Sequence, residues 1–171
     1  MAEIDLTTNT VDVLGEEEFI KRYLEGTLDN LVELRLGNVL KKKTLYGFES
    51  LKYTYLPTVL CIQSAAYNSA EALEWCDFTN VQYIEEDAFR NNAALCKTSP
   101  DGKEGVIVLP EVIAIDRYAF AWCTSIREVC FKKLETTRKL IPSNVASKTA
   151  YNTSPSYLFN SCTPLRRVDF D

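Results

Sequence analysis

The sequence contains no histidine, and this absence removes several classes of enzyme. Serine–histidine triads, histidine-ligated zinc and histidine general bases are excluded. None of the six cysteines stands in a C-x-x-C pair, so a zinc ribbon or a thioredoxin motif is not expected either. The tightest acidic cluster, residues 85–87, falls where a solvated turn is expected. The sequence therefore predicts a protein that is not an enzyme and that needs no metal or cofactor.

Positive charge and long apolar runs are also scarce. The chain has 19 basic and 24 acidic residues, whereas nucleic-acid-binding proteins carry a basic face. No run reaches the roughly 18 apolar residues of a membrane helix. The first residues lack the basic and apolar regions of a secretory signal. We expect no nucleic-acid partner, no membrane insertion, and a chain that works where it is made or leaves within a larger particle.

The dominant feature that is present is an internal repeat. Leu51 and Leu73 open two consecutive units with the same apolar offsets and a period of 22 residues. A third unit follows an insertion of about nine residues near 97–105. A fourth is interrupted by about 17 residues near 135–151, and a fifth opens at Leu165. The 171 residues therefore form a short repeat array.

The apolar offsets in each unit predict which residues are buried. Alternation at offsets 3 and 5 from the first leucine is typical of a half-buried strand, and later apolar positions return the chain past the core. One unit cannot bury its own apolar edge, whereas stacked units bury one another. The predicted core comprises Leu51, Leu56, Val59, Ile62, Leu73, Phe78, Val81, Ile84, Phe89, Leu109, Val112, Ile115, Phe120, Phe131, Phe159 and Val168.

Two stretches carry a family resemblance. Residues 84–89 read IEEDAF and residues 115–126 read IDRYAFAWCTSI. They resemble the BspA-like leucine-rich repeat, whose pattern is I-x-x-x-A-F-x-x-C-x-x-L followed by V-x-F-P. The resemblance covers 31–171 and implies an α+β repeat solenoid of about five coils with a parallel strand ladder. Leu45-Tyr46 stands for Ala-Phe in the first unit, and Ala70 and Asn92 replace the usual cysteine.

Residues 1–30 precede the repeats and are expected to serve as a tether and a helical cap. After Glu16, apolar residues that begin at Ile20 follow one face of an amphipathic helix. Two interpretations stay open: a cap over the first coil, or a docking helix that attaches the chain to a larger assembly. Residues 1–12, rich in Thr, Asp and Asn, are expected to form the tether.

Aromatic residues at outward offsets predict a binding surface. Exposed aromatic rings stack on sugars or anchor protein contacts, although rings can also pack between coils. For Trp75 and Trp122 both alternatives stay open. The candidates are Tyr55, Trp75, Trp122, Tyr151 and Tyr157. The cysteines are expected to be buried free thiols, except that Cys130 lies at an outward offset.

The resemblance also implies a function. BspA-like repeats occur in bacterial surface proteins and in structural proteins of bacteriophages. The first hypothesis is a virion structural protein, as a fibre, baseplate or capsid-decoration component. Its partners would be other virion proteins and a host-surface glycan or protein, and it would be a homo-oligomer or bound in an assembly. The alternative is an adhesin-like interaction module at the bacterial cell surface or in the cytoplasm.

Overall fold

The computed structural model describes residues 3–5, 10–13, 33–36, 45–56, 59–135 and 157–170. These residues form short strands linked by turns, and none of them lies in an α-helix. The strands are β1 (Glu3–Asp5), β2 (Thr10–Val13), β3 (Glu33–Leu36), β4 (Tyr53–Tyr55), β5 (Cys61–Ile62), β6 (Trp75–Cys76), β7 (Tyr83–Ile84), β8 (Val106–Leu109), β9 (Ala114–Ile115), β10 (Glu128–Phe131) and β11 (Arg167–Phe170). A search of the described residues found no helix that could cross a membrane.

The strands form three sheets in which pairing is almost entirely parallel. The orders are β1-β2-β3-β4-β6, β8-β10-β11 and β5-β7-β9. Among the described strands, only β1 and β2 pair in the antiparallel sense. Each repeat is here called a coil. The coils that contain β4, β6 and β8 each contribute that strand to the first or second sheet and a two-residue strand, β5, β7 or β9, to the third. The predicted parallel strand ladder is therefore present, although it is divided between sheets.

Besides the strand pairs, backbone hydrogen bonds join the coils through their turn segments, and these bonds are here called the turn ladder. The turn segments are residues 64–69, 86–91, 117–122 and 157–161. At the centre of these segments the Tyr67 amide donates to Ala88 O and the Phe89 amide donates to Ala119 O, both at 2.8 Å. The amides between these donate to the carbonyl three residues earlier in the same coil, as Ala66 N–H does to Gln63 O. An α-helix would need every amide for its own i→i−4 bonds. The helical part expected of an α+β coil is thus a turn in the described residues.

The turn segments hold left-handed backbone at fixed places. Positive φ occurs at Ala65, Ser69, Asp87, Asn91, Tyr118, Trp122 and Ser161. In the first two segments these residues donate the first and last amides of the ladder, and Tyr118, Trp122 and Ser161 stand at the equivalent positions of the later segments. Left-handed backbone costs a non-glycine residue about 1–2 kcal/mol. The inter-coil hydrogen bonds therefore impose a conformation that the residues themselves disfavour.

A stack of aromatic rings runs through the core along the direction in which the coils stack. Tyr67 stacks on Phe89 at 4.8 Å between centroids, Phe89 on Phe120 at 5.2 Å, and Phe120 on Phe159 at 5.9 Å. The structure places all the predicted core residues at 1% exposure or less, apart from Phe159 and Val168. Those two are partly buried and pack against the core.

The first coil departs from the sequence alignment by one residue. Leu45 precedes Tyr67 by one full period, is fully buried, and donates its amide to Ala66 O at 2.8 Å. Tyr46 is 49% exposed. The assignment of Leu45-Tyr46 to the Ala-Phe pair is therefore wrong by one position, because Leu45 occupies the place of the ring.

The usual cysteine position has a specific hydrogen-bonding role. Cys123 Sγ donates to Phe89 O at 3.1 Å, and Cys162 Sγ donates to Phe120 O at 2.9 Å. Asn92 fills the same position one coil earlier, and its Nδ2 donates to Tyr67 O at 2.7 Å. In each case a side chain donates to the carbonyl of the core ring residue of the preceding coil.

The N-terminal residues differ from the expected tether. Within residues 1–12, Glu3–Asp5 forms β1 and most of β2 follows. Ile4 lies opposite Val11 in an antiparallel pair, and β2 then pairs in parallel with β3. Apolar residues that alternate with polar ones explain this, because that period is typical of a strand. The predicted helix after Glu16 lies outside the described residues.

The first insertion leaves the strand ladder and rejoins it. Trp75 bridges to Lys97 before the loop. At its end the Gly105 amide donates to Cys96 O at 2.8 Å, and Gly105 O accepts the Arg127 amide at 2.8 Å. Gly105 has φ +82°, and a Cβ there would lie 3.0 Å from the Arg127 side chain, which favours glycine. The second insertion lies almost wholly outside the described residues.

Truncation of the ring stack should destabilise the fold more than any surface change. We expect Phe89→Ala and Phe120→Ala each to lower the free energy of unfolding by about 3–5 kcal/mol, because each leaves a cavity between coils. Thr124→Ala, at an exposed turn residue, should change it by less than about 0.5 kcal/mol. Urea unfolding of the three variants measures this. Equal losses at all three positions would contradict the ring stack.

Candidate interaction surfaces

The predicted surface residues divide into two aromatic clusters. Tyr55 contacts Trp75 on the outward side of the strand ladder. Trp122 and Tyr157 lie on the turn segments, where they are linked through Tyr118 and Arg90. Tyr151 lies outside the described residues. The single predicted surface is thus two surfaces on different sides of the coils.

The strand-face cluster consists of Tyr53, Tyr55 and Trp75. Trp75 stands directly opposite Tyr53 in the parallel register of β4 and β6, with the ring centroids 5.6 Å apart. The Tyr55 ring meets it edge-on at 4.7 Å. Trp75 is only 6% exposed because these rings of the preceding coil cover it. Of the two alternatives left open for Trp75, the structure has the ring packed between coils, where it supports two half-buried tyrosines.

Polar groups border the strand-face cluster. Lys52 Nζ lies 3.1 Å from Glu74 Oε1, and Tyr53 OH donates to Glu74 Oε2 at 3.5 Å. The hydrogen bond to Glu74 holds the pKa of Lys52 above its usual value. This ion pair is exposed, so it adds little to stability and mainly fixes the position of the rim.

The turn-face cluster consists of Arg90, Tyr118, Trp122 and Tyr157. The Tyr118 and Tyr157 rings stack at 5.2 Å. The Arg90 guanidinium lies 4.5 Å from the centre of the Trp122 ring and 5.9 Å from that of Tyr118. Tyr118 and Trp122 are half-buried, and Tyr157 is 45% exposed. Three consecutive coils therefore contribute to one aromatic surface with a cation at its centre.

Sequence reasoning left Tyr53, Tyr118 and Arg90 out of the predicted surface. Tyr53 precedes Trp75 by one period, so the repeat register could have placed the two rings side by side. Tyr157 follows Tyr118 by one period once the roughly 17 residues of the second insertion are subtracted. Arg90 gives no such signal, because its contact depends on the direction that a long side chain takes across the coil boundary.

The acidic cluster at 85–87 is more buried than a solvated turn. Glu85 is 2% exposed, and its Oε2 accepts the Ser64 amide at 2.9 Å from the preceding coil. Glu86 pairs with Arg117, and Asp87 pairs with Arg90 at 3.3 Å. Burial raises the pKa of Asp87, and Arg90 opposes that effect. Glu85 and Glu86 therefore link neighbouring coils, whereas the Asp87–Arg90 pair lies within one coil. The prediction of a solvated turn is wrong for Glu85.

The part of the chain that the structure describes includes a modest cleft beside the first insertion. No group of three His, Cys, Asp or Glu side chains there could hold a metal ion. An open cleft of about 190 Å³ forms beside the first insertion. It is lined by Phe78, Thr79, Thr98, Ser99, Val108 and Pro110. Small-molecule sites usually measure about 300–1,000 Å³, so this cleft is small for one.

The cysteines are free thiols, and four of them are buried. Burial raises the pKa of Cys61 to about 12, with a further contribution from Glu85, and burial raises that of Cys76 to about 12. Burial also raises the pKa of Cys162 to about 11 and lifts that of Cys123 well above its usual value. A raised pKa leaves less of the reactive thiolate at a given pH.

Thiol labelling should follow this difference in burial. We expect iodoacetamide at pH 8 to modify Cys130 and Cys96, which are partly exposed, in the native protein. The buried thiols Cys61, Cys76, Cys123 and Cys162 should react only after unfolding in urea. Peptide mass spectrometry at successive times measures the order. Native labelling of Cys123 as fast as Cys130 would contradict the packing of the turn segments.

Comparison with known proteins agrees with the repeat. The model of a family described as "BspA type Leucine rich repeat region (6 copies)" matches residues 38–140 and 102–171, which together form most of the chain. No curated protein and no solved structure matches. Repeats of this type suggest a protein-interaction or surface module. With its parallel ladders and periodic core, the chain belongs to the BspA-type leucine-rich repeat family.

Proposed function

We propose that the protein is a non-enzymatic interaction module that binds a protein partner through the strand-face cluster. The observation that carries this proposal is the group of tyrosines held on the outward side of the parallel ladder. Tyr53 and Tyr55 project from β4, and Trp75 fixes both rings from β6. Repeat arrays present extended surfaces of this kind to partners.

The arrangement of the three rings favours a protein over a sugar. Trp75 is covered on the outward side, so it offers no open ring face on which a sugar could stack. The two tyrosines are half-buried rings held by Trp75, and the Tyr53 hydroxyl donates to Glu74 Oε2. Rigid aromatic side chains of this type dominate the energy of protein interfaces, because little side-chain entropy is lost when they bind.

Polar groups surround these rings as they do at the rim of an interface. The Lys52–Glu74 pair lies on one side of the cluster. On β6's side, Asp77 Oδ1 accepts the Thr79 amide at 2.9 Å and the Thr79 hydroxyl at 2.6 Å. An apolar centre with a polar, solvent-accessible rim is the usual organisation of a specific protein interface.

The same proposal includes a setting in an assembled particle. In this proposal the chain is a virion component, as a fibre, baseplate or capsid-decoration protein, and the alternative is an adhesin-like module of a bacterial cell. β11 is the outer strand of its sheet in the described residues, and in this proposal a second copy of the chain pairs with it. Phe170 is 66% exposed, although its ring stacks on Phe131 at 5.6 Å in the manner of a core residue. A second copy of the chain that adds a strand there would cover this ring.

Photo-cross-linking tests the protein-binding surface. Tyr55 is replaced by p-benzoylphenylalanine in the full chain, which is expressed in the organism that encodes it and irradiated. We expect one discrete protein adduct, identified by mass spectrometry. The matched control carries the same residue at Tyr83, which is also half-buried but lies on β7 in another sheet. An adduct from Tyr83 that equals the one from Tyr55, or none from Tyr55, would reject the strand face as the binding surface.

Light scattering tests the proposed assembly of copies. The absolute mass of the purified chain is measured over about a hundredfold range of concentration, since association follows mass action. We expect a dimer or larger species that dissociates in Phe170→Lys, because a charge at an edge strand opposes strand addition. Thr124→Ala serves as the surface control. A monomer at every concentration, or a Phe170→Lys variant that associates equally well, would exclude association of copies through β11.

A further inference from the structure

Two bulky aromatic residues occupy strained backbone on one coil. Tyr118 has φ +56° and Trp122 has φ +60°. The equivalent places on the two preceding coils hold Ala65 and Ser69, then Asp87 and Asn91. Small or polar residues tolerate the left-handed region best, whereas a bulky side chain there is an outlier. The turn ladder imposes this backbone on every coil, so the choice of Tyr and Trp needs a separate explanation.

Core packing does not supply that explanation. Phe120, between the two strained positions, is fully buried, whereas Tyr118 and Trp122 are half-buried. Tyr118 instead stacks on Tyr157 of the next coil, and the Arg90 guanidinium of the previous coil lies over Trp122. Strain retained at a surface position is a recognised mark of a functional site.

The charges beside this surface are already paired. Arg90 lies 3.3 Å from Asp87, and Arg117 pairs with Glu86. These pairs leave little net charge with which to attract an ion. On the two coils that flank Trp122, the equivalent residues are Asn91 and Ser161, which are both exposed and uncharged. A ligand at this surface would therefore meet aromatic rings together with neutral amide and hydroxyl groups.

We infer that the turn-face cluster of Arg90, Tyr118, Trp122 and Tyr157 binds a neutral oligosaccharide. The C–H groups on one face of a pyranose ring are weakly positive and pack on the negative face of an aromatic ring. Arg90 lies over one face of Trp122, so in this proposal the sugar packs on the 45% exposed Tyr157 ring and on the other face of Trp122. The hydroxyl groups around the sugar accept and donate hydrogen bonds, and the exposed side chains of Asn91 and Ser161, at the positions equivalent to Trp122 on the flanking coils, can do both. This site lies on a different side of the coils from the strand-face cluster, and it does not depend on the protein partner proposed above.

Tryptophan fluorescence can test this site cleanly, because the chain has two tryptophans. In Trp75→Phe the only remaining tryptophan is Trp122, so the emission reports on the turn-face cluster alone. This variant of the full chain is titrated with cellohexaose, with maltohexaose and with the hexamer of β-1,4-linked N-acetylglucosamine. We expect a saturable change in emission with at least one of these probes, at concentrations up to about 10 mM.

Matched variants separate binding from folding. Calorimetric titration with the same probe should show at least about a tenfold loss of affinity for Trp122→Gly and for Tyr157→Ala. Tyr46→Ala should bind the probe normally, because Tyr46 is about as exposed as Tyr157 but lies outside the cluster. Trp122→Gly should keep or raise its Tm, because glycine relieves the left-handed strain.

Two results would overturn the inference. The first is the absence of a saturable fluorescence change in Trp75→Phe with all three hexasaccharides. The second is unchanged affinity in a folded Trp122→Gly protein, since this would place any sugar binding elsewhere. Either result leaves the cross-linking experiment at Tyr55 unaffected, so failure of this site and failure of the protein-binding surface can be told apart.

Discussion

The register between stacked coils is the constraint on which the rest of this structure depends. The core rings from Tyr67 to Phe159 stack at 4.8 to 5.9 Å, and this is possible only if successive coils present the ring at the same place. The turn ladder fixes that place, because the amide of each ring residue bonds to the next coil. Asn92 and the cysteines at the same position then bond to the ring residue's carbonyl on the preceding coil. Both aromatic clusters on the surface inherit their geometry from this register.

Much of the fold could be predicted from the sequence because a period of 22 residues converts sequence separation into spatial contact. The burial of Leu73 or Phe120 follows from the offset alone. The same arithmetic places Tyr53 beside Trp75 and Tyr118 beside Tyr157 once the insertions are subtracted. The N-terminal strands were missed for a different reason: a Thr- and Asp-rich composition suggested a tether, whereas apolar alternation around Ile4 and Val11 was the better guide.

Other features could not be predicted because they depend on exact geometry across coils. The offset of Glu85 suggested a solvated turn, yet the carboxylate turns inward to accept the amide of Ser64. Trp75 is covered by rings from the preceding coil, which a one-dimensional offset does not reveal. The strain at Tyr118 and Trp122 is likewise a property of the backbone. Outward residues therefore need a structure, whereas the repeat alone suffices for the inward ones.

The hydrogen bonds between coils run in opposite directions on two sides of the molecule. In the turn ladder the earlier coil donates, as Tyr67 does to Ala88, whereas beside the strands the later coil donates, as Glu74 does to Lys52. Coil boundaries share this two-way connection, except that residues of the first insertion stand between β6 and β8 at one of them. Whole coils could thus be duplicated or lost during evolution without redesign of the boundary. A single-residue deletion inside a turn segment has no such tolerance, because it would move the core ring residue out of the position that the ladder holds.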